Sequence, residues 1–162
     1  LHFGYRRQRQ MCIRDSFASA FICIDMEAVG NWAERRNLAY SGYTDLASRD
    51  EIYDLIYECV ESVNVDLARD DKLRGSQILR FLILHKELDA DDGELTRTRK
   101  VRRNIIADRY QPLIDALHDE SKTHCSIETE MTFEDGRKGT VEADLRITNL
   151  QKINTPVHAK AA

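Results

Sequence analysis

Residues 77–117 read QILRFLILHKELDADDGELTRTRKVRRNIIADRYQPLIDAL, and this stretch decides the fold. Its opening nine residues, QILRFLILH, are short and dense in apolar side chains, the character of a buried strand. Asp89, Asp91, Asp92 and then Gly93 form a turn signal, because short acidic side chains and glycine both favour tight chain reversals. Beyond the turn, Thr98 is placed to cap a helix whose inner face carries Val101, Ile105, Leu113, Ile114 and Leu117. Pro112 should restart or kink that helix, since it lacks a backbone donor.

Upstream, residues 17–25 (FASAFICID) also read as a buried strand, with Phe21, Ile22 and Ile24 supplying its bulk, and Asp25 is suited to cap the next helix. Met26, Val29, Trp32 and Ala33 then recur at helical spacing over residues 26–37, with Glu34, Arg35 and Arg36 on the wet face. After a connection containing Gly42, Ser48 and Glu51 make the S-x-x-E pattern of a capping box. The helix expected there carries Ile52, Leu55, Ile56, Cys59, Val63 and Leu67 along one stripe, and a polar break over residues 70–76 separates it from the strand above. Trp32, Tyr53 and Tyr57 fall where helices would pack them against a sheet. Downstream, residues 125–133 and 138–147 alternate around Glu134, Asp135, Gly136 and Arg137, which reads as a β-hairpin. Ile127, Met131 and Phe133 share one phase, and Val141, Ala143, Leu145 and Ile147 another. Strands interleave with helices, so the class is α+β or small α/β.

The chain has 162 residues, 24 Lys and Arg against 28 Asp and Glu, and 42% hydrophobic content. That composition suits one globular domain and excludes collagenous, coiled-coil or wholly disordered chains. No run approaches the roughly 18–20 apolar residues of a membrane-spanning helix, and no apolar secretory signal opens the chain, so the expected location is cytoplasmic. Cys12, Cys23, Cys59 and Cys125 are widely spaced and read as reduced thiols; His85, His118 and His124 lack metal-site spacing, so no metal ligands are expected. Residues 1–16 (LHFGYRRQRQMCIRDS) hold Arg6, Arg7, Arg9 and Arg14 without periodicity and look like a translated sequencing adapter, to be set apart as non-native. The alternative, a basic arm for nucleic acid, is disfavoured. Residues 151–162 read as a tail.

One segment breaks a local rule. Arg97, Arg99, Lys100, Arg102 and Arg103 crowd what reads as a helix start, where the helix dipole disfavours cations by about 0.3–1 kcal/mol each. Charge kept where it destabilises suggests a ligand such as a phosphate or carboxylate. The plainer alternative is that these cations are solvated or paired with Asp89, Asp91, Asp92 and Glu94. Nucleic acid is not expected, because interleaved aromatic residues are missing and the acidic run would repel phosphates.

Residues 17–117 resemble the C-terminal region of bacterial long-chain fatty acyl-CoA synthetases, members of the AMP-forming adenylate-forming superfamily. The stretches that carry the likeness are FASAFICID (17–25), EAVGNWAERRNL (27–38), YTDLASRDEIYDLI (43–56) and residues 78–117. Residues 93–103, GELTRTRKVRR, match G-x-L-T-x-T-x-K-x-x-R, in which Lys100 takes the position of the adenylation lysine. ETEMTFEDGRKGTVEADLRI (128–147) is similar to an extension in some bacterial members.

The resemblance implies a small C-terminal lid domain of α+β class, a short sheet flanked by helices with a C-terminal hairpin. It divides the chain into an adapter-like segment (1–16), an incomplete lid domain (17–120), a hairpin extension (121–150) and a tail (151–162). It implies that Lys100 is catalytic, that Thr96 and Thr98 shape the loop around ATP phosphates, and that Arg102 and Arg103 support the loop from behind or face coenzyme A. ATP, coenzyme A and magnesium would serve the full-length enzyme, and the fragment alone would bind none of them and be inactive. The implied partner is the missing N-terminal adenylation domain, with its phosphate loop and fatty-acid pocket. Contact with the inner membrane would be peripheral at most. Two alternatives stay open: a stand-alone module that binds an anionic partner, and the same lid from another acid-activating ligase.

Overall fold

The computed structural model describes residues 12–14, 17–132 and 138–154. Their elements run β1 (Cys12–Arg14), β2 (Phe17–Ile22), α1 (Met26–Glu34), α2 (Tyr43–Ser48), α3 (Asp50–Arg69), β3 (Ile78–Ile83), α4 (Arg103–Arg109), α5 (Gln111–His118), β4 (His124–Thr132) and β5 (Lys138–Asn149). The class is α+β. One sheet has the strand order β1-β2-β3-β5-β4, with β2 and β3 parallel and every other neighbour antiparallel. Cys12–Arg14, within the segment read as adapter-like, pairs with Phe17, Ala18 and Ser19 at one edge.

The two parallel strands are buried on both faces, which is why they read as near-continuous apolar runs. One face sends Ala20, Phe81 and Ile83 against α1, α2 and α3, where Val29, Ala33, Leu46, Ile52, Ile56 and Val60 complete a core. The other sends Phe21 and Leu82, with Leu84 just past β3, against Ile106 of α4, Tyr110 at the junction, and Leu113 and Leu117 of α5, together with Ile127, Leu145 and Ile147 from the hairpin. Tyr53 stacks on Phe81 with ring centroids 6.3 Å apart, and Trp32 and Tyr57 are partly buried in the first core. Within the apolar β3, Arg80 is 3% exposed. Its guanidinium donates to the carbonyls of Leu117 (2.8 Å) and Asp119 (2.7 Å) and to Asn149 Oδ1 (2.8 Å), so it gathers the carbonyl end of α5 and the last residue of β5. A cation belongs there, since a helix C-terminus carries partial negative charge.

Local signals locate several boundaries. Asp25 caps α1, accepting from the backbone N–H groups of Glu27 (3.0 Å) and Ala28 (3.1 Å). The helix then ends in a left-handed turn at Asn37 (φ 57°), with Leu38 N–H donating to Ala33 O and Asn37 N–H to Glu34 O. Pro112 falls in the first turn of α5, so the helix restarts there. The hairpin register pairs Ile127 with Ala143 and Cys125 with Leu145. Phe133 and the turn residues Glu134, Asp135, Gly136 and Arg137 lie outside the described residues, as do the side chains of Met131 and Val141.

Other expectations are corrected. Ser48 and Glu51 form no capping box: Ser48 ends α2, its hydroxyl donates to Asp45 O (2.8 Å), and Arg49 precedes α3 without a side-chain cap. The buried line of α3 is Ile52, Tyr53, Ile56, Val60 and Asn64, while Leu55 and Cys59 turn toward an open cleft. Asn64, fully buried, donates to Ile78 O (2.7 Å) and accepts from Ile78 N–H (2.8 Å), matching both backbone groups at the start of β3. Replacing Asn64 with Leu strands that donor and acceptor, each costing about 1–3 kcal/mol. Urea denaturation of Asn64→Leu should therefore show a loss of about 2–6 kcal/mol, against little change for Leu73→Ala at the exposed Leu73.

Candidate functional site

The segment that breaks the helix-start rule is a hairpin and not a helix. Helix α4 begins at Arg103 with Arg102 before it and no side-chain cap, so Thr98 does not cap it, and Arg97, Arg99 and Lys100 precede it. Gly93 (φ 75°) turns the chain out of the acidic loop, a conformation open to glycine at little cost. Leu95 then bridges Val101 in antiparallel fashion, and Thr96 N–H donates to Lys100 O (2.8 Å). Residues 97–99 make a three-residue loop, closed by Arg99 N–H to Thr96 O (2.8 Å). Arg99 takes the left-handed conformation (φ 57°) that such loops place at their third position.

The two threonines shape this loop. Thr96 Oγ1 accepts the Lys100 N–H at 3.0 Å and lies 3.0 Å from Thr98 Oγ1. Lys100 therefore has both backbone polar groups tied to Thr96, while its side chain is exposed. Its ammonium makes no ion pair among the described residues. Arg97, Arg99, Arg102 and Arg103 are exposed as well, so five exposed cations fall within residues 97–103, across the hairpin and the start of α4.

Two of the acids expected to neutralise those cations, Glu94 and Asp92, have other partners. Glu94, at 0% exposure, accepts from Lys86 Nζ (3.0 Å), Arg109 Nη1 (2.8 Å) and the Tyr110 hydroxyl (2.7 Å). Lys86 also meets Asp92 Oδ2 at 2.6 Å. Two carboxylates and two cations thus cancel beneath the hairpin, leaving the loop cations outside the network. Burial, followed by the Glu94 charge, pushes the Tyr110 hydroxyl well above its ordinary range, so it remains a donor to the carboxylate. Arg109 is pushed up too: burial opposes this, but the Glu94 hydrogen bond and charge outweigh it. Nothing in the sequence pointed to Glu94, Lys86, Arg109 and Tyr110 as a unit. The signal that was there is a lysine directly after an apolar strand and a glutamate directly after a turn glycine.

The hairpin borders a cleft of about 700 Å³ at the carboxyl ends of β2 and β3, lined by Cys23, Met26, Trp32, Leu55, Cys59 and Arg99 among others. Burial pushes the Cys23 thiol up to about 12, so it stays protonated near neutral pH and is no nucleophile. Cys23 and Cys125 are free thiols. Among the described residues no group of three or more His, Cys, Asp or Glu is placed to hold a metal ion, and no helix is long and apolar enough to cross a membrane.

His85, 3% exposed beside Lys86, has its imidazole pushed below the ordinary 6.5 by burial first and by the Lys86 charge second. A depressed folded value means the unfolded chain binds the proton more tightly. This contribution to stability is therefore complete above about pH 6.5 and lost as pH falls below it. Urea midpoints should decline between about pH 7 and about pH 5.5, and His85→Asn should flatten that decline.

Among known proteins, the chain is 30% identical over 105 residues to the long-chain-fatty-acid–CoA ligase FadD15 of Mycobacterium tuberculosis, covering 64% of this chain and 17% of that protein. It is 31% identical over 78 residues to the long-chain-fatty-acid–CoA ligase ACSBG1 of Mus musculus, covering 48% and 10%. With the long-chain-fatty-acid–CoA ligase ACSBG2 of Gallus gallus it shares 28% identity over 112 residues, covering 67% and 14%. No family model matches the chain, and no solved structure matches it. The chain is thus related to long-chain-fatty-acid–CoA ligases, and its matched part spans at most about a sixth of the length of these three.

Proposed function

We propose that the chain is the C-terminal lid portion of an AMP-forming long-chain fatty acyl-CoA synthetase and that Lys100 serves its first half-reaction. In that reaction a fatty-acid carboxylate oxygen attacks the α-phosphorus of ATP, and pyrophosphate leaves. The coenzyme A thiol then attacks the acyl carbonyl, and AMP leaves as the thioester forms. The first step brings two anions together, so its barrier contains a large repulsive component. An ammonium group between them offsets it. At an effective dielectric near 20, one charge at about 4 Å contributes on the order of 4 kcal/mol. Lys100 acts here as a fixed positive charge aimed at charge that develops in the transition state, and not as a base.

The observation that carries this reading is the presentation of Lys100: exposed side chain, and backbone tied on both polar groups to Thr96. A charge that must meet two mobile reactants needs an open approach and a rigid base. The relationship to long-chain-fatty-acid–CoA ligases supports it independently. Thr96 and Thr98 keep the loop in shape around the phosphates, and Arg102 and Arg103 extend the basic surface toward ATP or coenzyme A. The described residues do not form a magnesium site. ATP, the fatty acid and coenzyme A are held by the remainder of the longer protein, the lid's main partner, in the cytoplasm with at most a peripheral contact at the inner membrane.

In the full-length synthetase, Lys100→Ala should slow acyl-adenylate formation roughly a thousandfold, since about 1.4 kcal/mol is a factor of ten. Transfer from supplied acyl-adenylate to coenzyme A should be preserved. The 162-residue chain, incubated with ATP, palmitate and coenzyme A, should form no palmitoyl-CoA. Adenylation by Lys100→Ala at the wild-type rate would reject the assignment, and thioester synthesis by the chain alone would reject its reading as a lid.

A further inference from the structure

The hairpin that presents Lys100 has little apolar anchorage. Across residues 89–105 only Glu94 is buried; Leu95 and Val101 are partly buried against the second core, and residues 97–100 are exposed. Two half-buried aliphatic side chains hold a stem loosely, because apolar contact has no preferred direction. Something directional must fix the base if the tip is to point one way.

Glu94 is placed to do so from both its side chain and its main chain. Oε1 accepts from Arg109 Nη1 (2.8 Å) and the Tyr110 hydroxyl (2.7 Å), and Oε2 from Lys86 Nζ (3.0 Å) and the Asp89 N–H (3.2 Å). The Glu94 N–H donates to Asp89 O (3.0 Å), and its carbonyl accepts the Arg102 N–H (2.9 Å), a rung of the hairpin stem. One residue therefore joins the segment after β3, the acidic turn, α4 with its following Tyr110, and both limbs of the hairpin. Four donors arriving at two oxygens leave the carboxylate no free rotation. An amide of the same shape would keep one acceptor oxygen and turn an NH₂ group toward cations.

Resting on the reading of Lys100 as the adenylation lysine, we propose that Glu94 is a positioning residue: its buried carboxylate, clamped between Lys86 and Arg109, sets the direction in which the hairpin presents the Lys100 ammonium to the reacting carboxylate and phosphate. Glu94 touches neither reactant. With Asp92 and the two cations it forms a cluster of zero formal charge, so its influence reaches Lys100 through geometry and not through its field. A misplacement of about 1 Å at a reacting centre can cost on the order of a hundredfold in rate.

The test uses the full-length synthetase and measures two half-reactions separately: palmitoyl-adenylate formation from ATP and palmitate, and palmitoyl transfer from supplied palmitoyl-adenylate to coenzyme A. Glu94→Gln should lower kcat for adenylate formation by about a hundredfold with KM for ATP little changed, and leave transfer intact. Tyr110→Phe, which removes one of the four donors, should shift the same half-reaction in the same direction by a smaller factor. Wild-type adenylation by Glu94→Gln beside a crippled Lys100→Ala overturns the inference. A proportional loss of both half-reactions also overturns it, since that is what general unfolding produces. Should Glu94→Gln fail to fold, the split shown or not shown by Tyr110→Phe decides. Retained adenylation by Lys100→Ala is the separate outcome that removes the reading beneath.

Discussion

A carboxylate taken wholly out of water must be met by cations and donors, or it will not stay ionised. Glu94 is that carboxylate, and the structure around it is arranged to meet it. Lys86 reaches it from the end of the β3 segment, Arg109 and Tyr110 from α4 and the junction with α5, and the Asp89 N–H from the turn. The second core closes over these contacts, with Ile106, Leu113 and Leu117 packed on Leu82 and Leu84. Replacing the whole cluster with apolar residues of equal volume could be neutral or favourable for stability. Its worth lies in fixing where the next nine residues go, and those residues carry the five exposed cations.

The hairpin divides two requirements between neighbouring parts. Its base is buried, ionic and neutral in sum; its tip is wet and positively charged. Thr96 mediates between them by holding the main chain of Lys100 on both polar groups while leaving the side chain free. The left-handed Arg99 is part of the same compromise. Glycine would sit there without strain, yet the arginine keeps another cation at the rim of the cleft.

The elements legible in the sequence were those set by short-range rules. Strands buried on both faces read as apolar runs at β2 and β3, Asp25 and Pro112 acted where their chemistry puts them, and alternation registered the hairpin of β4 and β5. What escaped were groups defined by distant partners. Asn64 is polar and was passed over in the α3 stripe, because its burial depends on Ile78 fourteen residues away in the chain. Glu94 enters the sequence reading only as one of four acids that could pair with the nearby loop cations, whereas its cations come from either side, eight and fifteen residues off. The helix start drawn at Thr98 failed for a related reason: a three-residue loop without glycine has no strong signature, so the basic stretch ran together with the helix behind it. Lys100 is singled out by motif alone, and its exposure on a hairpin tip is what the structure adds.

The central claim concerns a positive charge, and the most direct measurement restores that charge chemically. In the proposed full-length synthetase, Lys100→Cys would be alkylated with 2-bromoethylamine, which rebuilds an ammonium on a side chain of nearly lysine length, or with iodoacetamide, which leaves it neutral. The wild type treated in parallel reports modification of the other cysteines. Adenylate formation should return with the aminoethyl group and stay lost with the neutral one. Equal activity of the two adducts would contradict an electrostatic role for Lys100.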